Sequence, residues 1–184
     1  MPKKVLIVTG DAVEALEIFY PYYRCLEEGL EAVIASPTKK TLNTVCHDFE
    51  PHSETYTEKP AYRLDSHVSF AEVKPEEFDG LIIPGGRAPE YIRLNPLLKP
   101  ILAHFFEADK PVAVICHGVQ ALTVIKEHLQ DKEMTAYQAC RPDVETCGGI
   151  YKEDTLHVHG KLVSGHAWPD LPGFMREFIR LLNQ

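Results

Sequence analysis

The tetrapeptide Ile115-Cys116-His117-Gly118, closing the apolar run Pro111-Val112-Ala113-Val114-Ile115, constrains this chain more than any other segment. So short an apolar run, met by a glycine-containing turn and then by the helix-like Val119 to Ile125, reads as strand, sharp turn, helix. A turn of that kind holds one side chain on a strained backbone at the carboxyl edge of a sheet. Cysteine there would sit beside helix-start N–H groups, which favour the thiolate, and a histidine follows it directly. The segment predicts a sheet of buried strands that carries cysteine chemistry.

The rest of the chain agrees with such a sheet. Val5-Leu6-Ile7-Val8-Thr9, Glu31 to Ser36 and Leu81-Ile82-Ile83-Pro84 are runs of the kind found in buried parallel strands. Between the first two, Leu16, Ile18, Phe19, Tyr23 and Leu26 predict a helix from Glu14 to Glu28, capped by Gly29. Pro21 falls inside it and is expected to kink or break it. Residues 37–68 show little periodicity and are expected to form loops and a hairpin. Further helices are expected over Pro96–Glu107, 119–129 and Gly173–Leu182, with a strand at Met134-Thr135-Ala136-Tyr137 and a hairpin around His159-Gly160. Alternating strands and helices imply one domain over residues 1–184, a doubly wound α/β sandwich with a mostly parallel sheet. Functional groups should collect where strands end: after Thr9, at Gly85-Gly86, and at Cys116-His117.

Composition narrows the function classes. A formal net charge of -8 makes a nucleic-acid backbone an unsuitable partner. Nothing approaches the ~20 apolar residues of a membrane span. Met1-Pro2-Lys3-Lys4 runs straight into a strand with no cleavage-site pattern, so a cytoplasmic location is expected. Five cysteines without framework spacing argue for reduced thiols, with Cys25, Cys46, Cys140 and Cys147 structural or incidental. His157 and His159 share one face of a strand but lack a third ligand at useful spacing, so no metal is expected.

Pro84-Gly85-Gly86-Arg87-Ala88-Pro89-Glu90 together with Ile115-Cys116-His117-Gly118 closely resembles the ThiJ/PfpI superfamily, which has a class I glutamine amidotransferase-like, flavodoxin-like fold. The nearest branches are the PfpI-type intracellular peptidases and the plant-type glyoxalase III proteins. The stretch Glu14 to Tyr22 and the strand Phe78 to Ile83 also match. Gly165-His166-Ala167-Trp168-Pro169 resembles the end of the plant-type domains. The resemblance implies Cys116 as nucleophile, His117 as its histidine and Glu14 as the carboxylate bonded to the nucleophile; Glu17, one turn on along the same helix, is the second-ranked carboxylate. It implies that Glu90 reaches the histidine of a neighbouring copy, and therefore a homo-oligomer formed through the region of Arg87, Glu90 and Tyr91. Gly85, Gly86 and Gly118 would serve the oxyanion or substrate. His166, where some members carry arginine, would stand at the pocket mouth; Trp168 could join it there, although packing between loops is its favoured role.

Such a site suits several reactions. Cys116 can attack a 2-oxoaldehyde such as methylglyoxal, or a related glycated amine or thiol, while Glu14 or His117 moves a proton between adjacent carbons. That chemistry needs no cofactor, metal or glutathione. Alternatively Cys116 attacks a peptide carbonyl, and His117 protonates the leaving amine. A redox sensor or chaperone that oxidises Cys116 without turnover is the third possibility. The glutamate as proton carrier and the plant-type resemblance favour the aldehyde reaction. In that reading Cys116 and Glu14 share one proton, and the glutamate pKa is raised.

Overall fold

A computed structural model describes residues 2–184. Eleven strands and six α-helices follow one another as β1 (Lys4–Val8), α1 (Ala15–Glu27), β2 (Glu31–Ser36), β3 (Thr41–Asp48), β4 (Thr57–Asp65), β5 (Val68–Ser69), β6 (Gly80–Ile83), α2 (Ala88–Ile92), α3 (Leu98–Glu107), β7 (Val112–Ile115), α4 (Val119–Leu122), β8 (Glu133–Met134), α5 (Arg141–Thr146), β9 (Ile150–Tyr151), β10 (Leu156–His159), β11 (Leu162–Gly165) and α6 (Leu171–Leu182). Seven strands form the central sheet in the order β10-β11-β7-β6-β1-β2-β5. Every pairing in it is parallel except that of β10 with β11, the hairpin expected around Gly160.

Period-two alternation divides the apolar side chains between the sheet's two faces. Leu6, Val8, Leu81, Ile83, Val112 and Val114 pack with Leu98, Leu102 and Phe105 of α3. Val5, Ile7, Ile82, Ala113 and Ile115 pack with Phe174 and Phe178 of α6 and Ile18 of α1. Covered on both faces, the strands need no polar side, which is why they read as continuous apolar runs. The doubly wound sandwich expected from the sequence is the observed fold. Among the described residues no helix is long and apolar enough to cross a membrane.

Several local expectations need correction. Helix α1 runs unbroken through Pro21, which lies buried on its core face with Ala15, Glu17, Ile18 and Cys25. Leu16, Tyr23 and Leu26, expected to mark the apolar face, are exposed. The helix after the elbow is short and broken: α4 is followed by a 3-10 stretch with a non-helical Ile125. There the Thr123 hydroxyl donates to the Gln120 carbonyl at 2.7 Å and competes with the helical ladder. The strand expected at Met134–Tyr137 stops at Met134, because the Thr135 N–H donates to Ser164 Oγ instead of to a neighbouring strand. Residues 41–65 form the antiparallel hairpin β3–β4, held outside the main sheet.

Candidate active site

The parallel sheet reverses its winding direction beside β1, and the loops after β1, β6 and β7 meet at this edge. At the end of β7 the backbone turns through Cys116 at φ 59, the left-handed region that residues with a Cβ rarely adopt. The turn is a 3-10 turn over Cys116–Gly118 leading into α4. Gly118, expected to serve the substrate, instead packs against the sheet: a Cβ there would lie 2.5 Å from the Ile83 carbonyl oxygen. Its glycine lets the elbow lie against β6.

The carboxyl beside the sulfur belongs to Glu17, not Glu14. Glu14 caps α1, its Oε2 accepting the Glu17 N–H at 2.9 Å. One turn further along, Glu17 projects into the core beneath the elbow. Its Oε2 accepts the Gly85 N–H at 2.8 Å, and the carboxyl lies close enough to couple to the Cys116 thiol. Its Oε1 is buried without a hydrogen-bond partner among the described groups. Gly85 is therefore committed to holding Glu17 and is not an oxyanion donor. A Cβ on Gly85 would meet Glu17 Oε2 at 2.5 Å and the Cys116 Cβ at 2.8 Å.

Gly86, at φ 72, docks the loop after β1 against this turn: a Cβ there would collide with the Ala12 carbonyl oxygen and the Glu14 nitrogen. The Arg87 N–H donates to the same Ala12 carbonyl at 2.9 Å. Gly86→Ala is expected to destabilise the fold by roughly 2–4 kcal/mol, since backbone on both sides prevents relaxation. Urea denaturation would measure it, and a change below about 0.5 kcal/mol would contradict this packing.

His117 Nδ1 lies 3.2 Å from Cys116 Sγ. Its Nε2 lies 3.3 Å from the hydroxyl of Tyr56, and its ring stacks on Tyr137 at a centroid separation of 5.0 Å. His166 packs against Tyr137 at 5.7 Å, and Trp168 stacks on Phe49 of the hairpin at 5.9 Å. His166 thus joins the aromatic surround of the site through Tyr137, whereas Trp168 packs between the loop before α6 and the hairpin. Tyr56, Tyr137 and His47 escaped the sequence reading. His157 and His159, on the far hairpin, are engaged locally, His157 with Glu133 and Asp154 and His159 with the Glu133 N–H.

The electrostatics correct the expectation of a resting thiolate. Burial, then the Glu17 carboxyl, push the Cys116 thiol well above its ordinary range, and the backbone N–H of His117 offsets this only in part. Cys116 is 2% exposed, and so short a helix after the turn supplies little compensating dipole. Glu17 is pushed up to about 8 by burial and by the neighbouring Glu14 carboxylate. Burial likewise raises Glu14. His117 is lowered to about 4 by burial and by His47. At neutral pH the site thus rests as thiol, carboxylic acid and neutral imidazole. The proton relationship expected between Cys116 and Glu14 falls to Cys116 and Glu17.

Within the chain Glu90 does not reach His117. It is exposed on α2 beside Tyr91, and both border a cavity of about 490 Å³ with Asp11 and Lys40. A second cavity of about 480 Å³ lies between α1 and β4. Neither of these two cavities is lined by Cys116 or His117.

The model of the DJ-1/PfpI family matches residues 3–181. The deglycase PH1704 of Pyrococcus horikoshii is 38% identical over 98% of this chain and 99% of its own length. Protein DJ-1 homolog D of Arabidopsis thaliana is 36% identical over 98% of this chain, which spans 48% of that longer protein. A putative cysteine protease of Bacillus subtilis, YraA, is 30% identical over the full length of both. Among solved structures, a two-domain protein of Anabaena variabilis containing DJ-1/ThiJ/PfpI-like and ferritin-like domains superposes with a TM-score of 0.84 at 27% identity, covering 98% of this chain and 48% of that one.

Proposed function

The chain belongs to the DJ-1/PfpI family, and on that premise we propose that it is a cofactor-independent cysteine enzyme acting on small 2-oxoaldehydes or their early adducts with amines and thiols. The observation that carries this reading is a 2%-exposed thiol flanked by a buried carboxylic acid and a neutral imidazole. Such a sulfur suits a small aldehyde admitted past the covering side chains far better than an extended peptide. The deglycase relatives support the substrate class.

For methylglyoxal the steps balance with the groups present. Cys116 Sγ bonds to the aldehyde carbon, and the thiol proton passes through His117 Nδ1 to the aldehyde oxygen, giving a hemithioacetal. His117 then takes the proton from that carbon while Glu17 donates its own to the adjacent carbonyl oxygen, giving an enediol. Return of the imidazolium proton to the second carbon, with the first hydroxyl returning its proton to Glu17, leaves a lactoyl thioester. Water cleaves the thioester to lactate and restores the thiol. Neutral Glu17 and neutral His117 are the forms this sequence needs at its start.

A cysteine peptidase or amidase is the second reading, favoured by the 3.2 Å contact between thiol and imidazole and by the protease-named relative. Assaying methylglyoxal, methylglyoxal-treated N-acetylcysteine and a fluorogenic peptide side by side separates the two. Lactate release with no peptide cleavage is expected. Cys116-dependent peptide cleavage without lactate would overturn the aldehyde reading.

We further infer that copies associate through α2, where Glu90 and Tyr91 are exposed, and that the five free cysteines work in a reducing compartment. A solution mass of one chain by light scattering would remove the association.

A further inference from the structure

The hairpin β3–β4 carries side chains to the elbow that the reaction above does not use. Tyr56, just before β4, meets His117 edge-on, with its hydroxyl 3.3 Å from Nε2. The Tyr56 ring stacks on His47, with centroids 4.0 Å apart and an interplanar angle of 23°. His47 is buried on β3, its Nε2 3.2 Å from Glu58 Oε2, and its Nδ1 has no partner among the described groups. Glu58 in turn accepts the forked guanidinium of Arg87, at 2.8 Å from Nε and 2.7 Å from Nη2. Arg87 directly follows Gly86. The phenol is thus tied through His47, Glu58 and Arg87 to the same glycine turn that holds Glu17.

A neutral imidazole carries one N–H, so a partner that fixes the proton on one nitrogen makes the other an acceptor. We propose that Tyr56 is a positioning residue: its Oη accepts the Nε2–H of His117, which turns the Nδ1 lone pair toward the Cys116 thiol. The proton placement follows from donor–acceptor matching. The neutral Glu17 carboxyl donates to the sulfur from its other side, which leaves the S–H to donate to Nδ1 at 3.2 Å and puts the ring proton on Nε2. Burial pushes the Tyr56 hydroxyl up to about 12, so it meets the imidazole as a neutral phenol. Stacking on His47 fixes the ring, and the paired Arg87–Glu58 fork fixes His47. Within one chain, the third group that orients the base of this nucleophile–base pair is a tyrosine on the hairpin.

This placement rests on Cys116 and His117 acting as nucleophile and base, so its test reads the imidazole itself as well as turnover. Protein labelled with 15N-histidine is compared with Tyr56→Phe by two-bond 15N–1H correlation spectroscopy and by lactate assay. The Phe variant keeps the ring and its stack on His47. Wild-type His117 is expected to show a protonated Nε2 and an unprotonated Nδ1, and Tyr56→Phe a mixture of both tautomers. The variant's kcat should fall about tenfold, the loss of one hydrogen bond, with KM changed by less than about twofold. A wild-type proton on Nδ1, or an unchanged tautomer and kcat in Tyr56→Phe, overturns the proposal. The wild-type spectrum decides even if the variant does not fold. Tyr56-dependent fixation in a protein that makes no lactate supports this placement while sinking the aldehyde reading.

Discussion

Cys116→Ser is expected to lower lactate formation from methylglyoxal by at least about 10³-fold, with an unchanged circular-dichroism spectrum. Serine fits the same volume and inherits the same left-handed backbone at φ 59, so the substitution alters chemistry and leaves the strain in place. What changes is the nucleophile. A buried thiol gives its proton to a neutral imidazole at 3.2 Å far more readily than a buried hydroxyl does. Cys116→Ala, on the same backbone, gives the floor left by binding alone. Full lactate formation in Cys116→Ser would end the hemithioacetal route. Loss of peroxide oxidation in that variant, with wild-type turnover retained, would identify Cys116 as a redox sensor instead.

The strand–turn–helix at Ile115-Cys116-His117-Gly118 was legible because its cause is local: a short β-branched apolar run between Pro111 and a glycine turn suits a buried strand, and glycine permits the approach to β6. The choice between Glu14 and Glu17 was not. Both sit at the start of α1, and the residues one turn apart from each other differ in role only once the helix phase is known. The apolar pattern pointed to the wrong face, since Leu16, Tyr23 and Leu26 are exposed while Glu17 and Pro21 are buried. A buried acid on the core face breaks the periodicity that locates that face, and functional groups are where such breaks are expected. Tyr56 and His47 were hidden for a different reason. Their approach to His117 spans 61 residues between Tyr56 and His117 and depends on where the hairpin β3–β4 lies, which no local pattern encodes. The alternation Leu42, Thr44, His47 was the one available signal, and a bulge between Asn43 and Val45 disrupts it.

Glu17→Gln is expected to remove a fall in stability that wild type shows as pH rises. A carboxyl that titrates near 4.5 when unfolded and at about 8 when folded binds more protons in the folded state between those values. Its stabilising share is therefore complete below about pH 4.5, declines as pH rises, and is gone above about pH 8, for a total on the order of 5 kcal/mol. Gln has the shape of the neutral acid and still accepts the Gly85 N–H, but it does not ionise. His117 runs the other way: its lowered value makes stability rise between about pH 4 and its unfolded value near 6.5. That slope is common to both proteins and cancels in the comparison. Urea denaturation at about pH 5 and about pH 9 should give similar midpoints at the lower value. At the higher value Glu17→Gln should be the more stable by several kcal/mol. The same variant cannot pass a proton to the substrate carbonyl, so lactate formation should drop at least about 10²-fold. Gain in alkaline stability together with loss of turnover would tie one buried proton to both properties. Parallel stability profiles for the two proteins would mean that Glu17 is ionised in the folded state, and the neutral-acid step would then have no donor.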